Sequence, residues 1–117
     1  MRIKELSKKY GVDLRTIDYY SNVAKILPYK QCNTTNTYRD YDVESEDILK
    51  RILIYRELGY SIDRIRKILN GSEIDNATES EYIEKLNKKK EEEINKINKL
   101  IEYTEDVFDK YRYCMYI

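Results

Sequence analysis

The chain has 117 residues, with 22 Lys/Arg balanced by 22 Asp/Glu, 13 tyrosines, two cysteines and no histidine. That length fits one small domain plus one further element and is too short for a doubly wound enzyme; without imidazole, His-based triads and His-ligated zinc or haem are excluded. No run approaches the roughly 20 apolar residues of a membrane span and the start does not read as a signal peptide, so a cytoplasmic protein is expected, with Cys32 and Cys114 reduced.

Apolar residues make up 41% and charged ones 38%, with a mean hydropathy of −0.80, so the core is small and rests on tyrosine and isoleucine. The balanced charge is unevenly distributed. Residues 1–70 hold 14 Lys/Arg against 10 Asp/Glu, and residues 71–117 hold 8 against 12. A basic front half suits an anionic partner and an acidic back half a protein partner.

In chain order, Ile3, Leu6 and Tyr10 follow helical spacing, and Gly11 stops that helix. Asp13 is placed to cap a second helix that runs to about Asn22, with Leu14, Ile17 and Tyr20 or Ser21 on one stripe. Two short helices joined by Gly11-Val12-Asp13 form a helix-turn-helix signature. Pro28 bars a continuous helix, and Gln31 to Asn36 reads as the tip of a hairpin, or wing, between two short extended pieces. A third helix begins near Val43 or Glu44, presents Ile48, Leu49, Ile52, Tyr55 and Leu58, and ends at Gly59. Ser61 starts a fourth, with Ile62, Ile65, Ile68 and Leu69 inward and Asn70-Gly71 as its terminator.

Residues 71–77 read as a linker, and Thr78 with Glu81 as a capping box. One long helix is expected over 78–112, followed by a short tail over 113–117. Its stripe comprises Ile83, Leu86, Ile94, Ile97, Leu100, Ile101, Val107, Phe108 and Tyr111. Heptad a positions fall on Ile83, Lys90, Ile97, Thr104 and Tyr111, and d positions on Leu86, Glu93, Leu100 and Val107. Such a stripe should find a second copy of itself. In a parallel pair Lys90 would face Lys90 and Glu93 face Glu93, so the antiparallel homodimer is favoured; the alternative is a helix folded back on its own domain.

The fold class expected is therefore mostly all-α: a winged helix-turn-helix over residues 1–70 with a small hairpin wing, then a long antiparallel dimerisation helix. Among the basic residues of the front, Arg15 lies in the first turn of the second helix, where a helix-turn-helix addresses the major groove. Thr16 and Tyr20 can donate to phosphates, and Arg39 on the wing can reach the backbone or the minor groove. Asp18, on the same helix, has two readings: a salt bridge, or an acceptor for a cytosine amino group. No Gly-rich phosphate loop, nucleophile–base pair or paired carboxylate site stands out, and neither enzyme activity nor a metal or cofactor is expected.

The order of elements resembles the DNA-binding domain of the MerR family of bacterial transcription regulators. Ile3-Lys4-Glu5-Leu6-Ser7 and Gly11-Val12 match its start, and Arg15-Thr16-Ile17-Asp18-Tyr19-Tyr20 looks like its R-T-L/I-x-Y/F/H-Y. The wing motif Y-R-x-Y appears as Tyr38-Arg39-Asp40-Tyr41. Residues Ile52 to Ile65, with Arg56-Glu57-Leu58-Gly59-Tyr60-Ser61 at their centre, resemble I-L-x-F/Y-R-E-L-G-F/Y-S-L/I-x-E-I. The chain departs from the family at Asp18, where Arg or His is common, at Ser21, where an acidic residue is usual, and at Ala24-Lys25-Ile26, where G-L-L/I is usual.

The resemblance implies a homodimer on double-stranded DNA. The dimer would bind a near-palindromic operator inside a promoter and kink and untwist it, with RNA polymerase as a further partner, so that deformation energy sets the switch. The DNA contacts it points to are Arg15, Thr16, Tyr20, Tyr38 and Arg39, then Lys4 and Arg56. Metal-responsive relatives place two or more cysteines near the end of the long helix; here Cys114 stands alone there and Cys32 sits on the wing. The other function considered is DNA bridging or chromosome anchoring, with the same domain and a protein-binding coiled coil.

Overall fold

The computed structural model describes residues 1–32 and 38–115, with side chains as far as residue 111. Of the expected loop tip, Gln31 and Cys32 lie in a strand instead, and 33–36 fall outside the described residues. The long helix does not end at 112 as expected but runs to Met115, so of the expected tail only 116–117 and the side chains from 112 on, Cys114 included, fall outside the described residues. The chain divides into two compact units, Met1–Asp75 and Asn76–Ile117.

The first unit begins with α1, Ile3–Tyr10. Gly11 ends it in the left-handed conformation (φ 62°), and Gly11 and Val12 both donate to the Ser7 carbonyl, which satisfies orphaned groups of the last turn. Helix α2 spans Leu14–Asp18 and continues as a π-helical turn, Tyr19–Val23. Asp13 precedes α2 but makes no capping hydrogen bond with its side chain, contrary to expectation. Of the expected stripe, Ile17, Tyr20 and Ser21 are buried, whereas Leu14 is exposed.

The π turn changes how this segment corresponds to the family pattern. Lys25, not Ala24, has the positive φ (54°) that a glycine would supply, and the two buried aliphatics that follow are Ile26 and Leu27. The G-L-L/I pattern therefore falls on Lys25-Ile26-Leu27. In the π turn that precedes it, Ala24 N–H reaches back five residues to the Tyr19 carbonyl at 2.8 Å. Ile26 and Leu27 both donate to the Tyr20 carbonyl, closing the turn into the wing.

The wing is an antiparallel pair, β1 (Lys30–Cys32) and β2 (Tyr38–Asp40), in the register Lys30–Asp40, Gln31–Arg39, Cys32–Tyr38. Beyond it Tyr41 is fully buried; its hydroxyl shares a 2.9 Å hydrogen bond with Ser21 Oγ, tying the wing's base to the π turn. Helix α3 spans Val43–Glu57 and is capped by Asp42, whose carboxylate accepts from Ser45 N–H at 2.9 Å. Gly59, at φ 87°, makes the sharp turn to α4 (Ile62–Leu69), which Ser61 caps by accepting from Arg64 N–H at 3.1 Å. Across that turn Tyr55 and Tyr60 stack at 5.3 Å, and the Arg64 guanidinium lies 3.9 Å above the Tyr60 ring.

Leu6, Ile17, Leu27, Tyr41, Leu49, Ile52 and Ile65 are essentially solvent-free. They come from α1, α2, the approach to the wing, its exit, α3 and α4, so one core fixes all of these elements together. The second unit is helix α5, Glu79–Met115. Its 37 residues make it about 55 Å long. Half of the expected capping box forms: Glu81 N–H donates to Thr78 Oγ1 at 3.3 Å. Every stripe residue except Leu86 is exposed, from 47% at Ile94 to 53% at Ile97 and Leu100, so among the described residues the helix holds no cover for its own stripe. No helix among the described residues is long and apolar enough to cross a membrane.

Candidate nucleic-acid interface

Helix α2 and its π turn set out a polar face at intervals of three and four residues. Arg15, Tyr19 and Asn22 are exposed, and Asp18 lies between them with its side chain 49% exposed. Arg15 and Lys4 form no ion pair among the described residues, so both cations face solvent. Thr16 is half-buried beside them. Tyr20 is only 7% exposed: its ring belongs to the core, and Tyr19 is the member of the pair that points outward. Helical spacing from Arg15 to Tyr19 is the sequence signal that selects Tyr19 rather than Tyr20.

The wing stands against this face. Arg39 Nη2 donates to Asp18 Oδ1 at 2.6 Å, and the guanidinium lies 5.2 Å over the Tyr29 ring. Asp18 Oδ1 also accepts from Asn22 Nδ2 at 2.8 Å, and Asn22 Oδ1 in turn accepts from the Tyr29 hydroxyl at 2.8 Å. The Arg39 guanidinium, helped by the Asn22 amide, holds the Asp18 carboxyl below its ordinary value. Of the two readings of Asp18, the structure realises the salt bridge. Tyr38, the neighbouring wing residue, is half-buried with the Arg2 guanidinium 4.1 Å above its ring. Arg56 stands apart from this group, donating to the Tyr60 carbonyl at 3.0 Å and so bracing the α3–α4 turn.

Cys32 on β1 is a free, half-buried thiol, and no cluster of His, Cys, Asp or Glu among the described residues could hold a metal ion.

Residues 1–72 match the family of MerR HTH family regulatory proteins. The chain belongs to that family. The matched region is the family's helix-turn-helix domain, and the similar curated proteins are themselves transcription regulators. The chain is 24% identical over 103 residues to the HTH-type transcriptional activator mta of Bacillus subtilis, covering 88% of this chain and 39% of that protein. It is 34% identical over 70 residues to the HTH-type transcriptional regulator HmrR of Sinorhizobium medicae, covering 59% and 46% of the two chains. It is 42% identical over 52 residues to the HTH-type transcriptional regulator CueR of Bacillus subtilis, covering 44% and 32%. The matched regions thus span less than half the length of each of these relatives.

Proposed function

We propose that this MerR-family chain is a cytoplasmic, sequence-specific DNA-binding transcription regulator that works as a homodimer. The observation that carries this reading is the exposed face of α2, with Arg15 presented to solvent and the wing held beside it by the Asp18–Arg39 contact. A helix of this kind enters the major groove by its first turn, where Arg15 and Thr16 stand, and Arg15 is suited to a guanine edge or a phosphate. Lys4 adds a phosphate contact, Tyr38 and Arg39 bring the wing to the flanking backbone, and Arg56 supports the α3–α4 turn. Tyr20, from its place in the core, positions the helix rather than touching DNA.

The uncovered stripe of α5 supports pairing of two chains, antiparallel so that the Lys88–Lys90 block meets Glu91–Glu93. Two heads on one such pair address a near-palindromic operator. Deformation of that operator, with RNA polymerase at the same promoter, would convert binding into regulation.

Selection of bound duplexes from a random pool, followed by gel-shift titration at fixed salt, tests the proposal. One enriched, two-fold-symmetric sequence is expected, and Arg15→Ala should weaken its binding by about 1–3 kcal/mol. Unchanged binding by that variant, or no enriched sequence, refutes the assignment.

A further inference from the structure

Among the basic residues expected at the interface, Arg39 is distinctive in being already neutralised by the protein itself. Its side chain is 27% exposed, and the guanidinium is engaged on three sides: Asp18 at 2.6 Å, the Tyr41 hydroxyl at 3.5 Å and the Tyr29 ring at 5.2 Å. Asp18 is itself aimed, because Asn22 holds the same carboxylate oxygen and Tyr29 holds Asn22. The participants come from two elements. Asp18 and Asn22 belong to α2 and its π turn; Arg39 lies on β2, and Tyr29 and Tyr41 flank the wing. The Tyr29 and Tyr41 rings pack at 5.7 Å, which backs the contact from the wing's side.

A half-exposed ion pair of this type contributes little to folding. Its consequences are geometric and electrostatic. The N-terminus also holds β2, through Met1 on Asp40 at 2.7 Å and Arg2 over the Tyr38 ring, but among the described residues only Arg39 bonds the strand to the recognition helix, and the wing cannot shift relative to that helix without breaking this charge-assisted hydrogen bond. A guanidinium beside a carboxylate presents a dipole to a phosphate, not a free positive charge.

We propose that Asp18 is a positioning residue that locks the wing to the recognition helix through Arg39, so that the two meet a duplex as one rigid reader and Arg39 is withheld from acting as an independent phosphate anchor. The lock trades sequence-independent affinity for a fixed spacing between the groove contact and the wing contact, and so makes Asp18 a determinant of specificity. The inference rests on the DNA-binding function proposed above.

A double-mutant cycle on the full chain tests it, with Asp18→Asn, Arg39→Gln and the pair, each checked for an unchanged thermal melt. The readout is affinity for a short mixed-sequence duplex and for the selected operator across a salt series. Freeing Arg39 by Asp18→Asn should steepen the salt dependence on the mixed duplex by about one ion per protomer and tighten that binding about threefold or more at low salt. Operator discrimination should fall by a similar factor. In the Arg39→Gln background the same Asp18→Asn change should do neither. Equal effects of Asp18→Asn in both backgrounds would mean that only a repelling charge had been removed, and would overturn the lock. No effect in either background overturns it too. Asp18→Glu, which keeps the carboxylate, should retain the wild-type salt slope; a slope like that of Asp18→Asn counts against the proposal. A wild-type chain that binds neither duplex at any salt removes the DNA-binding function itself, and the lock's role with it.

Discussion

The two units of this chain bury their apolar residues in opposite ways. In Met1–Asp75 seven large side chains from six segments are essentially dry, and the elements that carry them are tied by caps and cross-element hydrogen bonds. In α5 the isoleucines and leucines recur at helical spacing yet, Leu86 apart, remain about half exposed. The first unit holds the partners for its own apolar surface; the second displays a stripe for which the described chain supplies none. A single helix gains no tertiary packing by itself, so the persistence of α5 in solution should depend on association, whereas the fold of the first unit should not.

The strongest way to break this contrast is to open the core of the first unit. Leu49→Ala should destabilise it by roughly 3 kcal/mol, through lost burial and a cavity that neighbours fill only in part. Urea unfolding followed on the first unit's tyrosines would measure that, and a change under 1 kcal/mol would mean that Leu49 is not the keystone its burial suggests. The matching test on α5 is Leu100→Glu. It should abolish self-association in sedimentation at micromolar concentration while leaving the first unit's urea midpoint unchanged; a shifted midpoint would show that the two units are energetically one.

A gentler test concerns the π turn. Lys25 occupies a left-handed conformation that a side chain tolerates poorly, so Lys25→Gly should stabilise the first unit by about 0.5–1 kcal/mol, visible as a raised Tm. A lowered Tm would show that the lysine side chain contributes more than its backbone costs. The smallest expected effect is a pH dependence. Asp42 is held below its ordinary value chiefly by the Ser45 backbone N–H and then by the Ser45 hydroxyl. A carboxylate lowered in this way adds stability that is complete above the ordinary carboxylate range, about 4, and is lost as pH falls through the folded-state value. Asp42→Asn should keep an acceptor for Ser45 and flatten the acid limb of the Tm–pH profile. An unchanged limb would assign acid sensitivity to other carboxylates, such as Glu46, which Lys9 and Tyr10 hold down in the same way.

Much of the architecture was legible before any coordinates. Gly11, Gly59 and Gly71 mark three ends, and all three adopt positive φ. Ser61 starts a helix and caps it, whereas Asp13 starts one and does not, and the cap of α3 falls to Asp42, which its sequence context did not single out. Leu6, Ile17, Leu49, Ile52 and Ile65 fall inward because a period of 3.6 leaves few other faces for them. The interface was legible only in part. The place of Arg15 in a helical turn predicts the exposure it has, whereas the pattern does not separate Tyr19 from the buried Tyr20, because tyrosine serves equally as core and as surface. The π turn at Tyr19–Val23 carries no compositional signature, so only the backbone hydrogen bonds reveal it.

Local rules in the amino-acid order therefore determine which segments are helical, where they stop and which faces are apolar, since caps, glycines and periodicity act within a few residues of themselves. Only the tertiary structure decides that Arg39 donates a hydrogen bond to Asp18, 21 positions away, that Tyr19 rather than Tyr20 faces outward, and that the described part of α5 leaves its stripe bare. Those facts depend on how separate elements are brought together in space, and a Coulombic pair between a helix and a hairpin has no period by which it could be read along the chain.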